Sequence, residues 1–160
     1  TESFWSVAAN AYSSDDTDSV QPPEFGFDST PGTLDADNLF VGRRTAVGID
    51  SQFHAGAFDL MAEYLQVEWS PEASGADIES DGFYLQGLWS FGARRFQVMA
   101  KYDEFDPRKT RPLDSTSTWT AGFNWYLRGH DLKWVTNLQR VDVGPLDTQT
   151  KLLTRFQLAF

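Results

Sequence analysis

The eleven residues TKLLTRFQLAF (150–160) carry the reading from which the rest of the chain is decoded. Leu152, Thr154, Phe156, Leu158 and Phe160 share one parity; Lys151, Leu153, Arg155, Gln157 and Ala159 share the other. Successive side chains of an extended strand point to opposite faces, so one face is apolar and aromatic while the other carries two cations and an amide. Helical spacing would mix the two sets. The stretch therefore predicts a strand that separates two environments.

The same alternation recurs along the chain, and i, i+3, i+4 spacing is hard to find. Strands are expected at about 3–12, 40–53, 57–69, 82–92, 94–105, 117–127, 131–142 and 150–160. Their connections come in two kinds. SSDDTDSVQPPEFGFDSTPGTLDADN (13–38), SPEASGADIESD (70–81), DPRKTRPLDST (106–116) and the more modest GPLDTQ (144–149) form the long set. HAGA (54–57), FGAR (91–94) and RGHD (128–131) form the tight set. Regular alternation of long and tight links is the pattern of an up-and-down antiparallel meander with the long loops at one end. Eight strands return both termini to the end with the tight turns.

Composition narrows the classes. The chain has 160 residues and a formal charge of −10, which argues against electrostatic binding to nucleic acid. With no cysteine, disulfide and thiolate chemistry are excluded. No run reaches the roughly 18–20 apolar residues of a membrane-spanning helix. A membrane strand, however, need be apolar on one side only. The chain starts at Thr1 and shows no signal peptide, which suggests a processed form or part of a longer chain.

Two solvents could explain the apolar face. It could line the core of a soluble, lipocalin-like ligand-binding barrel, or it could meet lipid while the polar face lines an enclosed axis. Trp5, Tyr64, Trp89, Tyr102, Trp125 and Trp134 lie on the apolar parity near strand ends, where an interfacial aromatic belt is expected. The polar parity is rich in Gln, Asn, Ser, Thr and Gly, unlike the Lys/Glu surface of a soluble protein. Lipid is the preferred reading, giving an all-β transmembrane barrel. Its candidate lumen-facing charges are Arg44, Arg95, Lys101, Lys133, Lys151 and Arg155, with Asp50, Asp59 and Glu63 on the second and third strands.

Phe160, preceded by Phe156 and Leu158 at two-residue steps, resembles the C-terminal signal that outer-membrane barrel proteins present to the bacterial insertion machinery. GFNWYLRGHDLKWVTNLQRVDV (122–143) further resembles the penultimate hairpin of the phosphate-selective porin O and P family. AVGIDSQFHAGAFDLMAEYLQVEW (46–69) and DGFYLQGLWSFGARRFQVMAKYDEFD (81–106) are similar to two other hairpins of that family. The resemblance implies the C-terminal half of a barrel of about sixteen strands, embedded in the outer membrane among lipopolysaccharide, with both ends of this segment periplasmic. It also implies passage of small hydrophilic solutes or anions and a homotrimer. The anion-selecting residues of the family have no residue-by-residue match here. Small inward residues (Ser6, Ala8, Ala46, Gly48, Gly122, Ala159) favour this wide lumen over a complete, non-conducting eight-stranded barrel with a structural or surface-binding role.

Other chemistries are weaker. Asp15, Asp16, Asp18, Glu24, Asp28, Asp35 and Asp37 could draw divalent cations but lack the spacing of a calcium loop, so a solvated acidic extracellular loop over 13–38 is expected. His54 and His130 read as turn residues rather than metal ligands. No G-x-S-x-G is present, and no serine or carboxylate is paired with a histidine at the long-loop rim, so neither enzyme activity nor a cofactor is expected. Arg108, Lys109 and Arg111 form a small basic loop patch that could meet lipopolysaccharide phosphates.

Overall fold

The computed structural model describes residues 3–20, 39–72, 76–110, 115–128, 131–144 and 148–159, with backbone alone for 16–20 and 39–41. These residues form β1 (Ser3–Val20), β2 (Leu39–Ala55), β3 (Phe58–Pro71), β4 (Ile78–Phe91), β5 (Phe96–Asp106), β6 (Thr116–Arg128), β7 (Leu132–Val143) and β8 (Gln149–Leu158). Each strand pairs antiparallel with the next, in the order β1 to β8, in one sheet. The eight-stranded meander expected from the alternation is the fold.

Register carries the sequence parity intact across the sheet. One row runs Trp5, Phe53, Leu60, Gly87, Ala100, Ala121, Leu138, Leu152 through all seven pairings. Directly opposed residues project to the same side, so this row defines a single apolar face. The row one residue away, Phe4, His54, Asp59, Leu88, Met99, Gly122, Asn137, Leu153, lies on the other side. A slip of one residue anywhere would exchange the faces for the rest of the sheet, which is why a two-sided environment fixes register so firmly.

Among the described residues nothing stacks against this sheet to make a core. Among the described residues no side chain is fully buried, and Ile78 is the one apolar residue classed as buried. Trp5, Trp119 and Trp89 are 71%, 58% and 54% exposed. A closed soluble barrel would gather these rings inside, whereas here they are exposed. β1 and β8 pair with β2 and β7 only, leaving the sheet open along both edges among the described residues. That openness fits part of a larger barrel. A complete eight-stranded cylinder would pair β1 with β8.

Three strand limits differ most from expectation. One is the start of β4 at Ile78, which makes 78–81 of the expected loop strand. β1 runs on to Val20, with Asp15 opposite Arg43, Asp16 opposite Gly42 and a bulge before Ser19, so 13–20 of the expected loop are strand. The tight turn after β4 spans 92–95, one residue further on than FGAR. Gly92, Ala93 and Arg94 all take positive φ, and the Arg95 amide donates to the Gly92 carbonyl at 3.1 Å. β5 therefore begins at Phe96, opposite Phe91, and Arg95 sits in the turn rather than on a strand face.

Candidate functional site

The apolar face carries two aromatic zones. Toward the tight turns, Trp89 and Phe91 approach at 5.1 Å, Phe91 and Phe96 at 5.6 Å, and Phe96 and Trp125 at 6.0 Å. Toward the long loops, Phe83 and Tyr102 lie 5.7 Å apart, and Tyr102 and Trp119 lie 4.6 Å apart. Trp5, Trp89, Trp125 and Trp134 thus belong to the first zone, and Tyr64, opposite Phe83, to the second along with Tyr102. Trp119, on the expected face but outside the expected belt, completes the second zone.

Between the zones of β3 lie Leu60 and Ala62; between those of β6 lie Ala121 and Phe123. From Phe58 to Tyr64, or Trp119 to Trp125, is six residues, about 20 Å along a strand at ~3.3 Å per residue. Two indole donors on this face find partners on it. Trp5 Nε1 donates to Ser51 Oγ at 2.8 Å, and Trp134 Nε1 donates to Thr154 Oγ1 at 2.7 Å. Each bond removes an N–H that hydrocarbon could not satisfy.

The opposite face is the polar one. Its central row reads Ser6, Gln52, Met61, Gln86, Lys101, Thr120, Gln139, Lys151. The next row toward the long loops reads Ala8, Asp50, Glu63, Tyr84, Asp103, Thr118, Val141, Gln149. Of the expected lumen charges, Arg44, Lys101, Lys133, Lys151, Arg155, Asp50, Asp59 and Glu63 share this face. Arg95 lies in the turn before β5 rather than on a strand.

The charges are unevenly distributed. Acids occupy β2 to β5: Asp50, Asp59, Glu63 and Asp103. Lys101 binds Asp103 at 3.0 Å and rests 4.9 Å from the Tyr84 ring, so its ammonium is compensated locally. Asp59 Oδ1 lies within hydrogen-bond distance of His54 Nδ1, 2.6 Å, and the imidazole stacks on Phe4 at 5.5 Å. Arg44 lies 5.0 Å from the Trp69 ring and 5.5 Å from that of Tyr12, a guanidinium held between two π faces. On β7 and β8, Lys133, Lys151 and Arg155 have no ion pair among the described residues. Asp103, Trp69 and Tyr12 escaped the sequence reading; a two-residue step from Lys101 would have reached Asp103, whereas Trp69 and Tyr12 meet Arg44 only through strand register.

Close approach fixes part of this wall. A Cβ on Gly122 would meet Asn137 Oδ1 at 2.6 Å and Met99 Cε at 3.0 Å, so a side chain there would displace both neighbours. At the long-loop end, Lys109 bridges Glu79 at 2.8 Å and Asp81 at 3.0 Å, tying the loop after β5 to β4. Hydrogen bonds to Glu79 first and Asp81 second hold its ammonium well above the ordinary lysine range. The basic patch expected at Arg108, Lys109 and Arg111 is thus already engaged at Lys109; Arg111 lies outside the described residues. So do Phe160, His130, Glu24, Asp28, Asp35 and Asp37, and the side chains of Asp16 and Asp18 are likewise outside them.

A one-sided apolar sheet with aromatic zones at both ends and a polar reverse is the wall of a membrane β-barrel. Comparison with known proteins gives the family. The model of the phosphate-selective porin O and P family matches residues 27–160, and the chain belongs to that family of bacterial outer-membrane channels. It is 27% identical over 119 residues to an uncharacterized protein of Aquifex aeolicus (strain VF5), an overlap covering 70% of this chain and 28% of that relative. The chain therefore spans well under half of the relative's length. No solved structure matches it.

Proposed function

We propose that this chain forms one side of a water-filled outer-membrane channel for passive diffusion of small hydrophilic solutes, with its strongest pull on anions along β7 and β8. The observation that carries this reading is the row of Ser, Gln, Lys and Thr that crosses the polar face with Met61 as its one apolar member, opposite a face suited to lipid. A packed lumen would need bulk on that face, yet Ser6, Ala8, Gly48 and Gly122 there are small. Lys133, Lys151 and Arg155 supply the positive field, and the acids of β2 to β5 set the opposing one. In this reading the tight turns and both ends of the segment are periplasmic, the long loops meet lipopolysaccharide, insertion uses the barrel assembly machinery, and the channels associate as trimers.

The test is single-channel recording on the full-length protein in planar bilayers with a salt gradient. Open channels of stable conductance are expected, with a reversal potential favouring chloride over potassium. Absence of conductance in correctly folded protein would remove the channel reading.

A further inference from the structure

The polar face has a hollow that the diffusion reading does not use. It opens on β3 to β5 beside Gly82, has a volume of about 290 Å³, and is walled by Leu65, Val67 and Phe105. Glycine makes it: a Cβ at Gly82 would lie 3.1 Å from the Glu104 carbonyl oxygen and 3.4 Å from the Phe105 ring. Gly48, Leu65, Gly82 and Phe105 form one row, so apolar walls alternate with bare backbone on a face otherwise lined by polar groups.

Directly beneath lies the row Asp50, Glu63, Tyr84, Asp103. Lys101 cancels Asp103 at 3.0 Å and already uses the Tyr84 ring as a cation platform at 4.9 Å. Glu63 has no ion pair among the described residues, and Asp50 receives one long hydrogen bond, 3.5 Å, from Asn10 Nδ2. The site thus offers a small apolar hollow lined by one carboxylate without an ion pair, Glu63, with Asp50 opposite it on the adjacent strand; Lys101 and Asp103 also line the hollow but are paired with each other. Apolar walls with a few convergent polar groups are the makeup of a small-molecule site, and the sign of the charge selects the ligand.

We propose that this hollow is a binding subsite for a small organic ammonium ion, its hydrocarbon or aromatic body between Leu65 and Phe105 and its nitrogen on Glu63 and Asp50. The proposal rests on the polar face being solvent-accessible in the assembled protein. A solute held there lingers on the acidic wall while anions are drawn to the basic one.

The probe is benzylammonium, with benzyl alcohol and benzoate as neutral and anionic counterparts. Binding to the refolded full-length protein in detergent is followed by ligand-observed NMR, independently of conductance. Benzylammonium should bind at least about tenfold more tightly than benzoate, a gap of about 1.4 kcal/mol. Glu63→Gln should cost several-fold in affinity for the cation while leaving benzyl alcohol unaffected, and Phe105→Ala should weaken cation and alcohol alike. Glu68→Gln, on the lipid side of β3, should change neither. Equal binding of cation and anion, an unchanged Glu63→Gln protein, or no binding because another segment of the chain fills the hollow would each overturn the proposal. If Glu63→Gln does not fold, Asp50→Asn reads the same charge dependence. Binding without conductance would sink the channel and spare this site; conductance without binding would do the reverse.

Discussion

The acidic wall of β2 to β5 and the basic wall of β7 and β8 share one face of one sheet, yet their charges behave differently. On β5 the cation Lys101 is answered by Asp103 two residues along the same strand, 3.0 Å away. Near the tight turns Asp59 is answered by His54 at 2.6 Å. Lys133, Lys151 and Arg155 are answered by no acid among the described residues. Counting charged letters along the polar parity would rank Lys101 with the other lysines. Geometry ranks it below them, because the field a solute feels depends on what remains after local pairing.

The comparison presupposes that both walls lie on the side away from lipid, and breaking that premise gives the largest effect. Leu138→Arg, on the opposite face, should cost about 2–4 kcal/mol of folding stability in bilayers if it sits near the midplane. Gln139→Arg, its neighbour on the polar face, should cost far less. Denaturant-unfolding midpoints in lipid vesicles read both, and equal costs would mean that the faces have been assigned to the wrong solvents.

Next in size is the basic wall itself. Replacing Lys133, Lys151 and Arg155 together by Glu should move the reversal potential from anion-favouring to cation-favouring, since six units of charge change on a wall without local compensation. Asp103→Asn should act more weakly and in the opposite sense. It frees Lys101 and should raise anion preference by a modest factor, whereas Lys101→Glu alone should shift selectivity less than Lys133→Glu. Were Lys101 and Lys133 to prove equivalent, local pairing would not be what distinguishes the walls.

The smallest expected effect lies outside the membrane. Lys109→Met should loosen the loop after β5 and speed its proteolytic cleavage without altering selectivity. Because Glu79 and Asp81 raise the Lys109 ammonium above its ordinary range, the tie is fully present at neutral pH. It should be lost only as pH rises beyond the usual lysine value toward the raised one. Cleavage rates compared at neutral and strongly alkaline pH check the sign.

Much of this molecule was legible in its letters because lipid on one side and water on the other impose a period of two on every strand that crosses. Trp125 and Asn124, or Leu138 and Gln139, announce their faces without any knowledge of neighbours. Where both faces meet water, that constraint lapses. The continuation of β1 through Asp15 and Asp16 to Val20 reads as loop because nothing forces its residues to alternate; only pairing with β2 makes it strand. Arg95 was misplaced for a related reason, since the number of residues a turn consumes depends on backbone conformation at Gly92, Ala93 and Arg94 rather than on polarity. Contacts across strands, such as the rings around Arg44, needed register, which individual segments do not carry.

The two free margins of the sheet have a consequence of their own. β1 leaves the tight-turn end and β8 returns to it, so the margins run in opposite senses. In hydrocarbon, their unsatisfied N–H and C=O groups would each cost several kcal/mol, so a bilayer does not tolerate them bare. Any antiparallel set of strands that seals the gap must then be even in number, because an odd set would bring two parallel neighbours together at the seam.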